Sequence, residues 1–310
     1  MVAAAPLLQV LTAERVDCTW EDAPRLLRAE PPFALLQMRR SLDLDFGDTV
    51  GGMERFGPLA AALADTSLQP ALSELCICAA DMTHPALMGA LADAAVARRL
   101  RELKLECCSA PAAAPLARLL AEGSLAVLGI RAPIGAARTP VFDAAGAALV
   151  ADALRVNTTI TELVMGGVNL TGDVHSAGTL LGALVGHPSL RELSVYGQRN
   201  NAAGGRAFGA ALAAIIAADA PTLQVLVCYC NALGDAGLAP IVEALALNRH
   251  LLELVMGDNN ISEAFARKEL LPAVRANTSL RRLTCANFHS GPSAAREAEE
   301  LVRRRAGQHG

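Results

Sequence analysis

The residues that could do chemistry are scattered along the 310-residue chain without the spacing of a catalytic motif. The six histidines fall in expected turns, near helix ends or in the tail, so none is an obvious partner for a nucleophile. The sequence has no phosphate-binding G-x-x-x-x-G-K-[ST], no H-E-x-x-H and no G-x-S-x-G. These observations predict a protein that is not an enzyme and needs no cofactor.

Cysteine is the other residue type with reactive potential, and the chain has eight. Cys76 and Cys78 lie two residues apart on an expected strand, with Cys107 in the next repeat of the pattern described below. Two ligands on one flat strand and a third beside it leave no obvious fourth ligand for zinc, so no metal site is predicted. Cys228 and Cys285 stand at positions that are otherwise leucine, which predicts core packing.

Composition sets the class of protein that must position these residues. Hydrophobic residues make up 53% of the chain and the formal net charge is −4. The first value predicts a large buried core, and the second argues against a general nucleic-acid binder. No apolar run approaches the roughly 18 residues of a membrane helix, and the apolar N-terminus has no basic residue ahead of it. We therefore expect neither a nucleic-acid nor a membrane partner, and a cytoplasmic or nuclear protein with free thiols.

A repeated pattern determines the expected fold. An apolar residue, two variable residues, leucine, one variable residue and a further apolar residue recur at intervals of 25 to 35 residues. The copies begin at Leu72, Leu100, Leu125, Ile160, Leu190, Leu223, Leu251 and Leu280, with a degenerate first copy at Arg39. Each copy alternates like a half-buried strand, and apolar residues at helical spacing follow it. Stacking these units predicts an α/β solenoid of about nine repeats, with a parallel sheet on the concave face and helices on the convex face.

The copies resemble leucine-rich repeats of the ribonuclease-inhibitor type, which are also found in the Ran GTPase-activating protein and NOD-like receptors. The segments 223–233 and 251–261 fit the consensus L-x-x-L-x-L-x-x-N/C-x-L, with Asn231 and Asn259 at the polar position. Cys108 occupies that position in its own repeat. We expect an N-terminal helical cap over 1–35, the solenoid over 36–290, and a C-terminal helical cap and tail over 291–310. The resemblance is informative about the fold and not about the function.

The register of the repeat identifies the residues of the concave face. Its third positions are glutamate in five of nine copies: Glu74, Glu102, Glu162, Glu192 and Glu253. These are either ordinary solvated residues or an acidic ladder that attracts a basic partner, with Lys104 and Arg131 offsetting part of its repulsion.

Both tyrosines of the chain, Tyr196 and Tyr229, fall at the seventh position of adjacent repeats. They form either a binding hot spot or a simple cross-strand pair. Small and apolar residues surround them, with Glu192 and Glu253 at the rim. Two repeats also carry longer segments, after Ile130 and after Tyr196, which are expected to form rim loops.

The first functional hypothesis is a non-catalytic scaffold that binds a protein partner on the concave face. Its expected binding residues are Tyr196, Tyr229, Glu162, Glu192, Glu253, Arg131 and Arg199. One alternative is a regulator of small GTPases resembling the Ran GTPase-activating protein, which would use Arg131 or Arg199 near the nucleotide. Another is an inhibitor of a basic enzyme, in the manner of ribonuclease inhibitor. The sequence does not predict the identity of the partner or the oligomeric state.

Overall fold

The fold is a single open sheet of ten parallel strands that alternate with helices. A computed structural model describes residues 11–19, 21–28, 36–45, 53–80, 82–108, 111–132, 142–166, 174–197, 202–286 and 292–307. The strands follow one another in chain order across the sheet. They are β1 (Leu11–Thr19), β2 (Leu36–Asp45), β3 (Glu74–Cys78), β4 (Glu102–Glu106), β5 (Val127–Arg131), β6 (Glu162–Gly166), β7 (Glu192–Tyr196), β8 (Val225–Val227), β9 (Glu253–Val255) and β10 (Arg282–Thr284).

Helices connect the strands and pack side by side along one face of the sheet. They are α1 (Ala23–Leu27), α2 (Met53–Ala64), α3 (Pro85–Arg98), α4 (Ala113–Glu122), α5 (Ala144–Val156), α6 (Val174–Gly182), α7 (Ala202–Ala217), α8 (Gly234–Leu247), α9 (Glu263–Phe265), α10 (Leu271–Ala276) and α11 (Ser293–Gly307). A π-helical turn, Ala266–Leu270, joins α9 to α10. Among the described residues, no helix is long and apolar enough to cross a membrane.

The alternation within each strand explains why the core lies between the sheet and the helices. In β3, Leu75 and Ile77 are fully buried, whereas Glu74, Cys76 and Cys78 on the other face are half-exposed. The same alternation recurs in β4. Strands lie about 4.8 Å apart and packed helices about 8–10 Å apart, so the stack curves with the sheet on the inside. These features confirm the predicted leucine-rich-repeat solenoid.

In three repeats, a buried side chain replaces backbone partners that are missing in the turn after the strand. Asn259 donates from Nδ2 to the carbonyls of Cys228 (2.8 Å) and Met256 (2.9 Å), and its Oδ1 accepts from the backbone of Asn231 (2.9 Å). In the N-terminal half, Cys108 donates to the carbonyl of Ile77 over 3.2 Å. Asn231, Asn259 and Cys108 therefore perform the structural role that the repeat consensus predicts.

A second set of buried polar residues lies at several of the junctions where a helix ends and the next strand begins. Asn157, Asn248 and Asn277 each donate to the last turn of the preceding repeat's helix and accept from the backbone three residues ahead. His187 occupies the same place between α6 and β7, and its Nδ1 accepts from the backbone of Ser189. Its Nε2 faces the backbone of Leu154 without completing a well-formed hydrogen bond. Burial lowers the pKa of this imidazole below its ordinary value.

The N-terminal region differs from the expectation of a purely helical cap. Leu11–Thr19 form strand β1, which pairs in parallel with β2 and places Val16 opposite Leu42 and Cys18 opposite Leu44. The helical prediction is wrong for these residues, and only α1 is helical in the described part of 1–35. Ala13, Val16 and Cys18 form a degenerate copy of the repeat motif with small residues where leucine is usual, so the strand continues the sheet.

Helix α11 covers the opposite end of the sheet. The carboxylate of Glu299 accepts from the backbone N–H groups of Cys285 (2.6 Å) and Ala286 (2.8 Å), just beyond β10. In an interior repeat, the equivalent N–H of Cys228 donates instead to the carbonyl of Val255 on the next strand. Glu299 therefore replaces a neighbouring strand at this position, as an end cap of a solenoid must.

Helices α7 and α8 approach each other unusually closely. A Cβ atom on Gly209 would lie 1.9 Å from the carbonyl oxygen of Gly237, and one on Gly237 would lie 2.5 Å from that of Gly205. Only glycine allows two helix backbones to come this near, because any side chain would overlap the facing peptide group.

Candidate protein-binding surface

The two tyrosines form a stacked pair on the open face of the sheet. Their ring centroids are 4.6 Å apart and their planes differ by 13°. Tyr196 ends strand β7, and Tyr229 lies two residues beyond β8 in the next repeat. Both side chains are half-buried, so each presents ring surface to solvent while packing against the other. The structure thus brings together the two residues that the repeat register placed side by side.

Tyr196 extends across a neighbouring strand that has no side chain in the way. Its ring lies over Gly166 at the end of β6, where a Cβ atom would be 2.2 Å from the ring carbon Cζ. This allows the Tyr196 hydroxyl to accept a hydrogen bond from Nε of Arg131, on the strand beyond, over 3.0 Å. Glycine at the seventh position of β6 is therefore what permits contact between β5 and β7.

Arg131 carries the chain of contacts one strand further, to Glu106 of β4. Its Nη1 forms an ion pair and hydrogen bond with the Glu106 carboxylate. Burial alone would lower the pKa of Arg131, but Tyr196 and Glu106 together raise it above its ordinary value. We call Glu106, Arg131, Gly166, Tyr196 and Tyr229 the tyrosine row. It links five consecutive repeats through a continuous set of side-chain contacts.

The glutamate row runs parallel to the tyrosine row along the same face and consists of Glu74, Glu102, Glu162, Glu192 and Glu253. Cationic side chains of the sheet pair with Glu102 and with Glu253. Nζ of Lys104 lies 2.6 Å from Glu102, and Nη2 of Arg282 lies 2.9 Å from Glu253. The outer parts of the row are therefore partly neutralised by residues of the sheet itself.

The centre of the glutamate row carries two carboxylates on adjacent strands. Glu162 and Glu192 are direct partners in the register of β6 and β7. Burial first, and the charge of Glu192 second, raise the pKa of Glu162 above its ordinary value. Lys104 and Arg131 oppose this shift from a distance, but no cation of the described residues pairs directly with either carboxylate. The negative charge of the glutamate row is therefore least neutralised at its centre, in the middle of the open face.

The remaining candidates fall into two groups. Arg199 and the centres of the two long segments lie outside the described residues. The Sγ atoms of Cys76 and Cys78 are 3.9 Å apart, and burial raises the pKa of Cys76. No group of His, Cys, Asp or Glu in the described part of the chain is arranged to hold a metal.

The buried cysteines behave as predicted, since Cys228 and Cys285 are almost completely enclosed. The contact of Arg131 with Tyr196 is not among the contacts that the sequence predicts. Its signal was present in the seventh positions, which read Glu, Arg, Gly, Tyr, Tyr over five consecutive repeats. A glycine between two long polar side chains leaves room for them to meet, but this signal is visible only when the same position is compared across three strands.

Comparison with known proteins gives structural similarity without sequence similarity. No protein-family model matches the chain, and no curated protein resembles it significantly. Similar solved structures include a chain of the yeast Rad7 and Elc1 complex, which is 15% identical with a TM-score of 0.49 and covers 95% of this chain and 73% of that chain. Another is the leiomodin-1 actin-binding site 2, at 15% identity and a TM-score of 0.41, covering 51% of this chain and 88% of that one. The assignment of the fold rests on the ten-stranded sheet and the repeat itself.

Proposed function

We propose that this protein is a non-catalytic scaffold that binds a protein partner on the concave face of its solenoid. The single observation that carries the proposal is the tyrosine row. Two stacked, half-exposed tyrosines are held in place by Gly166 beneath and by the guanidinium of Arg131 at one end. Aromatic residues with an adjacent arginine are typical of the centres of protein interfaces.

The fixed positions of these side chains favour binding. Tyr196 is stacked on one side, rests on a strand backbone on the other, and is hydrogen-bonded at its hydroxyl. A partner therefore does not need to immobilise it, and the loss of side-chain entropy on association is reduced. The same reasoning applies to Arg131, which is already bound by Glu106 and Tyr196.

The partner of this proposal carries a basic segment. Glu162 and Glu192 repel each other on adjacent strands, and a cationic side chain placed between them would relieve that repulsion. This observation also supports the inhibition of a basic enzyme as a second candidate function, since such an enzyme would present the required charge. The GTPase-regulator alternative gains no comparable support, because Arg131 is bound within the tyrosine row.

We place this function in the cytoplasm or nucleus, as part of the same proposal. All eight cysteines are free thiols, including the closely spaced Cys76 and Cys78. Free thiols are usual in reducing compartments, whereas secreted proteins more often use cysteine in disulfides.

Site-specific photo-cross-linking tests the proposal. A photoreactive phenylalanine analogue replaces Tyr229 in one variant and Leu247 in a matched control. Leu247 is an apolar residue at the end of α8 that is 77% exposed on the helix side of the solenoid. We expect a discrete cross-linked protein from position 229 and none from position 247. Competition by unlabelled protein should remove the product, whereas unlabelled Tyr196→Ala protein should compete at least about tenfold more weakly.

The proposal fails if both positions cross-link the same proteins, or if the Tyr196→Ala variant competes as well as the unmodified protein. Thermal unfolding of each variant, followed by circular dichroism, shows whether the fold is retained.

A further inference from the structure

A basic groove lies at the C-terminal edge of the sheet, between strand β10 and helix α11. Its volume is about 570 Å³. Arg281 and Arg282 line it from the strand side, and Arg296 and Arg303 line it from the helix side. It is separate from the tyrosine row, since Tyr229 belongs to a repeat two strands away in the sheet.

The floor of the groove is the outer edge of β10. Arg282 donates its backbone N–H to Leu252 over 3.0 Å, and the carbonyl of Thr284 accepts from Met256 over 2.7 Å, so both residues are directed towards the β9 side. Alternate residues of a strand turn their backbone groups to opposite sides. The N–H and C=O of Leu283, which lines the groove, are therefore directed to the outer edge. The groove is the place where a further parallel strand of the sheet would lie.

Glu299 marks one end of this edge. Its carboxylate accepts the N–H groups of Cys285 and Ala286 and so covers the edge immediately beyond Leu283. A carboxylate of the chain itself thus already binds the same edge that a peptide would follow. It shows that a negatively charged oxygen is accommodated against these backbone donors.

The charges around the groove favour an acidic ligand. Glu299 is occupied by the backbone, and Glu300 is paired with Arg303 and with Arg304, the latter at 2.6 Å. Arg281, Arg282, Arg296 and Arg303 are exposed, and Arg282 and Arg303 also pair with Glu253 and Glu300 of the chain itself. Four arginines and two glutamates line the groove, so its lining retains an excess of positive charge. The segment 275–307 contains seven arginines and three glutamates, in a chain whose net charge is −4. This end of the solenoid therefore attracts the kind of partner that the glutamate row repels.

We propose that the groove binds an extended acidic peptide segment of a partner protein, which adds as a strand to the outer edge of β10. Its backbone pairs with Leu283. Its carboxylates meet the arginines of β10 and α11, where guanidinium groups can form paired hydrogen bonds with them. The proposal concerns a second surface and does not depend on binding at the tyrosine row.

Fluorescence anisotropy with labelled peptides tests this assignment. The probe is a peptide of about eight residues that alternates glutamate and valine. Matched peptides carry lysine in place of glutamate, or proline in place of valine, because proline has no N–H with which to pair in a sheet. We expect only the glutamate–valine peptide to bind. Arg296→Glu with Arg303→Glu should weaken its binding at least about tenfold.

The control variant is Arg304→Glu, which makes the same change of charge as either single substitution, Arg296→Glu or Arg303→Glu, on the same helix. Arg304 is not a lining residue of the groove and its side chain is 73% exposed. We expect it to change the affinity by less than about threefold. Arg281→Glu tests the strand side independently of the fold of α11 and should also weaken binding.

Three results would overturn the proposal. Equal loss of affinity in the Arg304→Glu variant would show attraction by net charge alone. Equal binding of the proline-containing peptide would exclude strand addition. Displacement of the peptide by inorganic phosphate at millimolar concentration would show a site for small anions only.

Discussion

Replacing Gly166 by alanine tests the architecture of the tyrosine row most directly. The new Cβ would lie 2.2 Å from Cζ, 2.3 Å from the hydroxyl oxygen and 2.5 Å from Cε2 of Tyr196. Ordinary van der Waals contact begins near 3.4 Å, so the ring must withdraw by roughly 1 Å or more. The backbone of Gly166 is not in the positive-φ region, so alanine introduces no backbone strain of its own.

The magnitude follows from the two interactions that the ring loses. A hydrogen bond to a charged group contributes about 1.5–3 kcal/mol, and an aromatic pair about 0.5–1.5 kcal/mol. Both groups are half-exposed, which places the expected loss in the free energy of unfolding at about 2 kcal/mol. Gly178→Ala is the matched control, because nothing lies within 4 Å of its new Cβ in helix α6. It should be neutral, or stabilising by up to about 1 kcal/mol.

A double-mutant cycle measured by urea denaturation isolates the contact. In the Tyr196→Ala background there is no ring to displace, so Gly166→Ala should cost close to nothing. The expected coupling free energy between the two positions is therefore about 2 kcal/mol. If Gly166→Ala cost the same in both backgrounds, the ring would not lie over Gly166, and the description of the tyrosine row would be wrong.

Three further predictions concern the supporting structure. Asn259→Ala should lower the free energy of unfolding by about 3 kcal/mol in urea, because it removes the side-chain donor to the carbonyl of Met256 and the acceptor of the buried Asn231 N–H; a loss below about 1 kcal/mol would contradict this role. Gly209→Ala should cost more than about 3 kcal/mol, since its Cβ would lie 1.9 Å from the carbonyl oxygen of Gly237, and stability equal to that of Gly178→Ala would refute the close approach of α7 and α8. Burial lowers the pKa of His187 in the folded state, so the unfolded chain binds the proton more readily. The contribution of neutral His187 to the free energy of unfolding should be complete above pH 6.5 and be lost as the pH falls towards the lowered pKa. His187→Asn should therefore reduce the pH dependence of thermal unfolding. An unchanged pH dependence would show that His187 is not responsible for it.

The repeat motif predicts most of the fold because the alternation of apolar and polar residues in each copy shows which side chains of its strand are buried. Leu75 and Ile77 alternate with polar neighbours in a way that fixes which face is buried, and every repeat adds the same information. Strand β1 was missed because Ala13, Val16 and Cys18 are smaller than the leucines of the consensus. Their alternation was visible, but it is weak without a neighbouring strand to pair with.

The candidate binding surface was predictable only in part, for a related reason. The register alone places Tyr196 beside Tyr229, since both occupy the same position of adjacent repeats. The contact with Arg131 depends on the direction of a side chain across the intervening strand, which no single repeat encodes.

Asp235 gives a second example of a side chain whose partner lies in another repeat. Its position suits the start of a helix, but its carboxylate instead binds the backbone and hydroxyl of Ser262 in the next repeat, at 2.9 and 2.6 Å.

The glycine contact between α7 and α8 has a consequence for the shape of the opposite face. A solenoid bends because its outer layer needs more room per repeat than its inner layer. Gly205, Gly209 and Gly237 let α7 and α8 draw together, so we expect this difference to be smaller, and the arc to be straighter, over that one step. That step is the one between β7 and β8, whose repeats carry Tyr196 and Tyr229. Two adjacent repeats with little angle between them allow the rings of Tyr196 and Tyr229 to stack nearly parallel. A substitution of Gly209 on the helix side would therefore alter the stacking of the two tyrosines by increasing the curvature at this step.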